Sequence, residues 1–274
     1  MSNAIMMGTL GGLIAATATT AGAAVSLFRG PRAVAATQQI SLDFALGMML
    51  AASAFSLLLP AGQEALLRGP SSLLIVIAAF FAGAFFISSV GKLISKSTSG
   101  ASVAGVDRLS GQDPAIRARG IVFVVAMMLH NFPEGLASGA ALGGLSVGVS
   151  SLNPAHGWSI LGAIAVQNFP EGLATLLAFM ALGLSRRNAF LGALASAGVE
   201  LVGGSIGGLA LQLTNGILPT LLSFAGGAML FVSIREASER LRLKVESRGR
   251  SVRDLAMGTA AMTLMTFVLN GLFQ

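Results

Sequence analysis

Cysteine is absent from the 274 residues, and charged residues make up only 10% of them. The first absence removes disulfide frameworks, thiolate zinc sites, iron-sulfur clusters and cysteine nucleophiles together. The second excludes a water-soluble globule. Soluble chains carry roughly 25% charged residues, and at less than half that density there is too little polar surface to cover cores of this size. Hydrophobic residues take their place, at 54% of the chain, and mean hydropathy is +0.80. The solvent around most of the chain is therefore lipid.

With about 20 apolar residues taken as one crossing, spans fall near 5–28, 40–60, 71–94, 119–143, 158–183, 188–213, 216–236 and 252–273. This predicts an all-α membrane protein with eight transmembrane helices. The N-terminal stretch lacks the basic flank of a cleavable leader, so it is expected to be retained as the first span. Between spans three and four, residues 95–118 mix Gly, Ser, Lys and Asp without an apolar period, as in a flexible cytoplasmic loop. Glycine is abundant, and pairs such as Gly203/Gly207 and Gly204/Gly208 allow close helix approach. Such small-residue helices suit either a monomer core or a homodimer interface.

A net charge of +6 and a pI of about 11.3 would point a soluble protein toward nucleic acid. Here the basic residues segregate by loop. Of the 17 Lys and Arg, only Arg68 falls in an even-numbered loop. By the positive-inside rule the odd loops are cytoplasmic and both termini extracytoplasmic. Topology thus explains the basicity, and with no aromatic-plus-basic module visible nucleic acid is excluded as a partner.

Ionisable groups inside spans are costly and usually functional. Span four reads HNFPEGLASGAAL from His130, and span five reads QNFPEGLATLLAF from Gln167. Consecutive spans run antiparallel, so equal motifs at equal depth imply a pseudo-two-fold repeat with its polar faces meeting between helices 4 and 5. His130 and Glu134, like Gln167 and Glu171, are four apart and share a helix face. Pro133 and Pro170 free the carbonyls of Leu129 and Val166. Carboxylates, an imidazole and amides around one axis suit a borderline dication such as zinc. Interhelical hydrogen-bonding glue and a metal-free proton relay are the blander alternatives.

HNFPEG and QNFPEG, together with GMMLAASAFSLLLPA (47–61), GVELVGG (198–204) and GGAMLFVSIREASE (226–239), resemble the ZIP (Zrt/Irt-like) family of divalent metal transporters, in its GufA-like prokaryotic branch. The resemblance covers nearly the whole chain. It implies a single transporter domain over 1–274, multi-pass in the inner (plasma) membrane, moving zinc into the cytoplasm, with cadmium, iron or manganese as alternatives. The metal is cargo, and no cofactor is expected. A binuclear site is implied, its first position on Met49, His130, Glu134, Gln167 and Glu171. The second falls on Asn131, Glu134, Asn168, Glu171 and Glu200, with Glu134 and Glu171 bridging. Asn168 stands where close relatives carry Asp, which is expected to weaken the second position, and Gln167 where many members carry His, which is expected to make the first weaker or more permissive for metal. On span seven the family's Glu-Glu-x-x-Pro-Glu pattern is only partly kept, leaving Arg235, Glu236 and Glu239.

Beyond that set, His156 in NPAHG reads as a solvated loop histidine ahead of a role in admitting metal. Asp43 reads as a helix-start residue, and Glu236 as a partner for Arg235 or Arg240. The expected mechanism is alternating access, one helix bundle moving against the other. An intramembrane metalloenzyme and a non-transporting metal sensor are the rivals. The first lacks an HExxH motif, and the protein is expected not to be an enzyme.

Overall fold

The computed structural model describes residues 3–27, 42–98, 114–147, 154–181, 183–214, 216–243 and 248–272. Among these, every regular element is helical. In chain order they are α1 (Asn3–Leu27), α2 (Leu42–Arg68), α3 (Pro70–Thr98), α4 (Pro114–Ser146), α5 (Pro154–Ala181), α6 (Arg186–Leu213), α7 (Leu218–Leu243) and α8 (Arg248–Leu272). Over the described residues, all but α4 are long and apolar enough to cross a bilayer. The apolar run of α4 is interrupted by His130, Asn131, Pro133 and Glu134. Its 33 residues reach about 50 Å, well beyond a hydrocarbon core of about 30 Å.

The helices outrun the sequence-based boundaries at their polar ends. The separator expected over Ala61 to Pro70 shrinks to Gly69, whose φ of 106° ends α2 before Pro70 opens α3. Within α2 the turns over Ala52–Leu58 are π-helical, directly ahead of Pro60. A proline ring displaces the carbonyl four residues back and offers it no N–H, and a wider turn accommodates both. At the other polar end α7 continues to Leu243, with Arg235–Glu239 (3.0 Å) and Arg240–Glu236 (3.2 Å) pairing one turn apart. The loop expected over 95–118 is likewise trimmed, because α3 continues to Thr98 and α4 starts at Pro114. Residues 99–113, the rest of that loop, lie outside the described residues.

The eight helices form two packed groups. In one, α1, α4 and α5 pack against one another, and α6 packs against all three; in the other, α7 packs against α2, α3 and α8. The groups meet where α4 touches α3 and α7, and where α5 touches α2 and α8. The first group is drawn together by glycine. A methyl on Gly204 would sit 2.5 Å from the carbonyl oxygen of Gly8, and one on Gly203 would sit 2.6 Å from that of Phe132. One face of α6 therefore lies against α1 and the next against α4, backbone to backbone. The paired small residues read from the sequence serve the interior of the protomer.

On one side of the paired motifs the two groups are joined by buried apolar side chains. Leu57 and Ala61 of α2, Ala137 and Ala141 of α4, Ile160 and Ile164 of α5, and Leu222 and Met229 of α7 form a single buried cluster. On each of these helices the cluster lies on the same side of the paired motifs, toward the ends joined by Gly69 and by residues 214–217.

If backbone contact holds α6 in place, Gly204→Ala lowers stability by about 1–3 kcal/mol, the usual cost of overpacking. Gly198→Ala, where nothing lies within 4 Å of the added carbon, is neutral or stabilising by up to about 1 kcal/mol. Thermal unfolding of the detergent-solubilised protein measures both.

Candidate metal centre

Both motifs lie mid-helix and both helices run through their prolines, Pro133 in α4 and Pro170 in α5. His130, Asn131 and Glu134 of α4, Gln167, Asn168 and Glu171 of α5, and Glu200 of α6 are all buried. For three carboxylates in a lipid-embedded bundle this burial is expensive unless each is compensated.

The compensation is partial and comes from neutral donors. Gln167 Nε2 donates to Glu134 Oε1 at 3.0 Å, which ties α5 to α4. Asn168 Nδ2 donates to Glu200 Oε2 at 2.8 Å, and the Thr19 hydroxyl of α1 donates to Glu200 Oε1 at 2.7 Å. Asn131 Nδ2 donates to the Ser196 hydroxyl of α6 at 3.0 Å.

Among the motif residues and Glu200, the atoms left over are all oxygens of carboxyl or amide groups. Glu134 Oε2, both oxygens of Glu171, and the amide oxygens of Asn131, Gln167 and Asn168 are buried without a hydrogen-bond partner among the described residues. With both glutamates ionised, all six atoms are acceptors only. A shared cation satisfies such a set at once, which a hydrogen-bonded seam of amides and carboxylates does not. Among the described residues no three histidine, aspartate or glutamate side chains form a ready-made cage, so amide oxygens would have to complete the coordination.

Other expected positions fall less centrally. Met49 is buried on α2, at 3% exposure, and α2 belongs to the other helix group. His130 lies at the edge of the cluster, with Nε2 4.0 Å from Glu236 Oε2 of α7. Glu236 takes Arg240 as its partner, while Arg235 pairs with Glu239. Asp43 is buried near the start of α2 and lies 3.5 Å from Arg240. His156, expected in a loop, falls in the first turn of α5, and its side chain lies outside the described residues.

The family description "ZIP Zinc transporter" matches residues 95–266, more than half of the chain. The chain belongs to the ZIP family. It is 37% identical over 236 residues to "Zinc transporter ZIPB" of Bordetella bronchiseptica, covering 83% of this chain and 70% of that protein. It is 31% identical over 206 residues to "Zinc transporter ZupT" of Chlorobium chlorochromatii, 72% of this chain and 74% of that one. With "Zinc transporter GufA" of Myxococcus xanthus it shares 47% identity over 116 residues, 42% of this chain. That last match spans less than half of the relative's length, 43%.

Two polar residues of this ZIP chain escaped the sequence reading, Thr19 and Ser196. A hydroxyl costs little in an apolar span because it can bond its own backbone, so burial gives no warning of it. For Ser196 a signal existed: it lies four residues before Glu200, on the same face of α6. For Thr19, inside ATATTAG, there was none. Thr19→Val would leave the buried Glu200 Oε1 without its donor, at a cost of about 1–3 kcal/mol. Thr19→Ser keeps the hydroxyl and most of the stability, and thermal unfolding in metal-free detergent tells them apart.

Proposed function

We propose that this ZIP protein is a multi-pass plasma-membrane transporter that carries divalent metal ions, zinc foremost and cadmium, iron or manganese as alternatives, into the cytoplasm. It is not an enzyme. The observation that carries this reading is the set of six unpaired acceptor oxygens buried between α4 and α5. The names of three relatives as zinc transporters support it.

In this reading all eight helices cross the membrane, with both termini extracytoplasmic, as the placement of Lys and Arg implies. The paired motifs of α4 and α5 are related by a pseudo-two-fold axis. Metal binds to Met49, His130, Glu134, Gln167 and Glu171 at one position, and to Asn131, Glu134, Asn168, Glu171 and Glu200 at a second. Glu134 and Glu171 bridge, offsetting the repulsion between two dications. Gln167 and Asn168 present their NH₂ groups to carboxylates; half a turn about the last bond of either side chain offers the amide oxygen to metal instead.

Transport follows by alternating access. The α1/α4/α5/α6 group carries most of the donors, and the α2/α3/α7/α8 group supplies the surface against which it moves. The apolar cluster from Leu57 to Met229 closes the extracytoplasmic side in the conformation described. His130 and Glu236 face the cytoplasmic side.

The test is zinc uptake into proteoliposomes holding a trapped fluorescent indicator. Wild type is expected to give saturable flux that the Glu134→Ala, Glu171→Ala double variant loses. Wild type that binds zinc tightly yet moves none in either direction would sink the transporter reading and favour a sensor or an intramembrane metalloenzyme. Protons compete with metal for the carboxylates and the imidazole, so acidifying the zinc-supplying side is expected to raise the apparent KM for zinc. An apparent KM that stays flat across the titration would exclude these side chains as the ligands.

A further inference from the structure

Below the buried donors, toward the cytoplasmic ends of the helices, one carboxylate joins the two helix groups. Glu236 of α7 turns Oε2 toward His130 Nε2 of α4, 4.0 Å away. Its Oε1 accepts from Arg240 Nε at 3.3 Å and from Arg240 Nη2 at 3.2 Å. The same guanidinium reaches Asp43 Oδ1 of α2 through Nη1 at 3.5 Å. The Asp43 side chain is 2% exposed and that of Glu236 31%. The arginine is thus anchored at a buried acid and laid across a more accessible one that adjoins the metal-site imidazole.

We propose that Arg240 is a tethered cation that competes with the transported metal for Glu236 and thereby promotes release on the cytoplasmic side. This rests on the transport reading above. Without the arginine, Glu236 and Asp43 would stand as two uncompensated acids at the mouth of the site. A dication leaving His130 would be held there by charge–charge attraction in a partly desolvated environment. With Arg240 in place, one Glu236 oxygen is already engaged and the local negative charge is partly cancelled. Metal can then pass the imidazole without meeting a second strong site. The guanidinium suits this role better than an ammonium, because its planar fork spans two carboxylates and stays charged at any working pH.

The experiment measures zinc affinity, by competition with a chelating indicator, and saturable zinc uptake into proteoliposomes. It compares wild type, Arg240→Gln, Arg240→Lys and the double variant Arg240→Gln, Glu236→Gln. Arg240→Gln is expected to bind zinc about tenfold more tightly and to lower the maximal uptake rate several-fold, as one neighbouring positive charge is removed. Arg240→Lys, which keeps the charge without the fork, shifts both in the same direction by less. The double variant, which has no freed Glu236 carboxylate, returns affinity to near wild type. A folded Arg240→Gln with unchanged affinity and rate overturns the proposal. So does one that loses binding together with transport, because the arginine is then a structural support. Should Arg240→Gln fail to fold, wild-type values for Arg240→Lys overturn the proposal instead. A wild type that binds zinc but moves none defeats the transport reading, while the binding comparison still decides whether Arg240 competes with metal.

Discussion

Three glutamates, Glu134, Glu171 and Glu200, are buried together inside a bundle whose surroundings are lipid, and most other features follow from the need to hold them there. The idealised cost of taking one carboxylate out of water is about 20 kcal/mol, and the effective cost is still several. Only groups pressed close from several helices can offset it. Two helices supply the donors, α5 through Gln167 and Asn168 and α1 through Thr19, while Asn131 of α4 donates to the Ser196 hydroxyl of α6 beside them. Side chains as short as Thr, Ser and Asn reach across only if the backbones nearly touch. That explains why α6 meets α1 and α4 through Gly204 and Gly203, where even a methyl group collides with carbonyl oxygen. The glycines and the polar cluster are one design, in which close approach brings in the short donors and the donors make burial of the acids tolerable.

The donors that arrive are all neutral, so the cluster stays short of positive charge. The positive groups begin only lower down, with Arg240 anchored to Asp43 and Glu236. The opposite side is sealed by Leu57, Ile160, Ile164 and Met229 with their neighbours. An electrostatic gradient therefore runs from an apolar seal, through a band of unpaired acceptors, to a mixed ionic mouth. In the proposed transporter that ordering gives each part its task. The seal excludes water and counter-ions, the acceptors recognise a dication, and the mouth keeps the ion from being trapped on its way out.

Most of this was legible in the sequence wherever burial of charge is costly, and little of it where burial is cheap. Glu134, Glu171, Glu200 and His130 declared themselves because nothing in an apolar run requires them. That Arg68 stands alone among basic residues in its set of loops is the pattern on which the proposed orientation rests. The i, i+4 spacing placed the motif residues on shared faces, and His130, Glu134, Gln167 and Glu171 are all buried. Helix ends were the weaker part. AGQEALLR after Pro60 and REASERLRL on α7 look like separators by polarity, yet both are helical because their acids and bases pair one turn apart. The link from Asp43 through Arg240 to Glu236 joins residues nearly two hundred positions apart, and no local pattern announces it.

The substitution of amides for stronger ligands bears on how such a site can work at all. With association near 10⁸ M⁻¹s⁻¹, which is about what electrostatic steering allows, a nanomolar site releases its ion at about 0.1 s⁻¹ and a micromolar site at about 100 s⁻¹. A carrier must empty as readily as it fills, so tight binding is a liability unless something else drives the ion off. In the proposed site Gln167 and Asn168 lower the charge that would face the metal, and their NH₂ groups bond Glu134 and Glu200. An aspartate at 168 or a histidine at 167 would strengthen coordination and slow escape. The amides therefore act on the same quantity as Arg240 at the mouth. In the proposed transporter both would reduce how long a dication dwells among acids that the fold cannot otherwise neutralise, one by offering weaker donors and the other by supplying a competing charge.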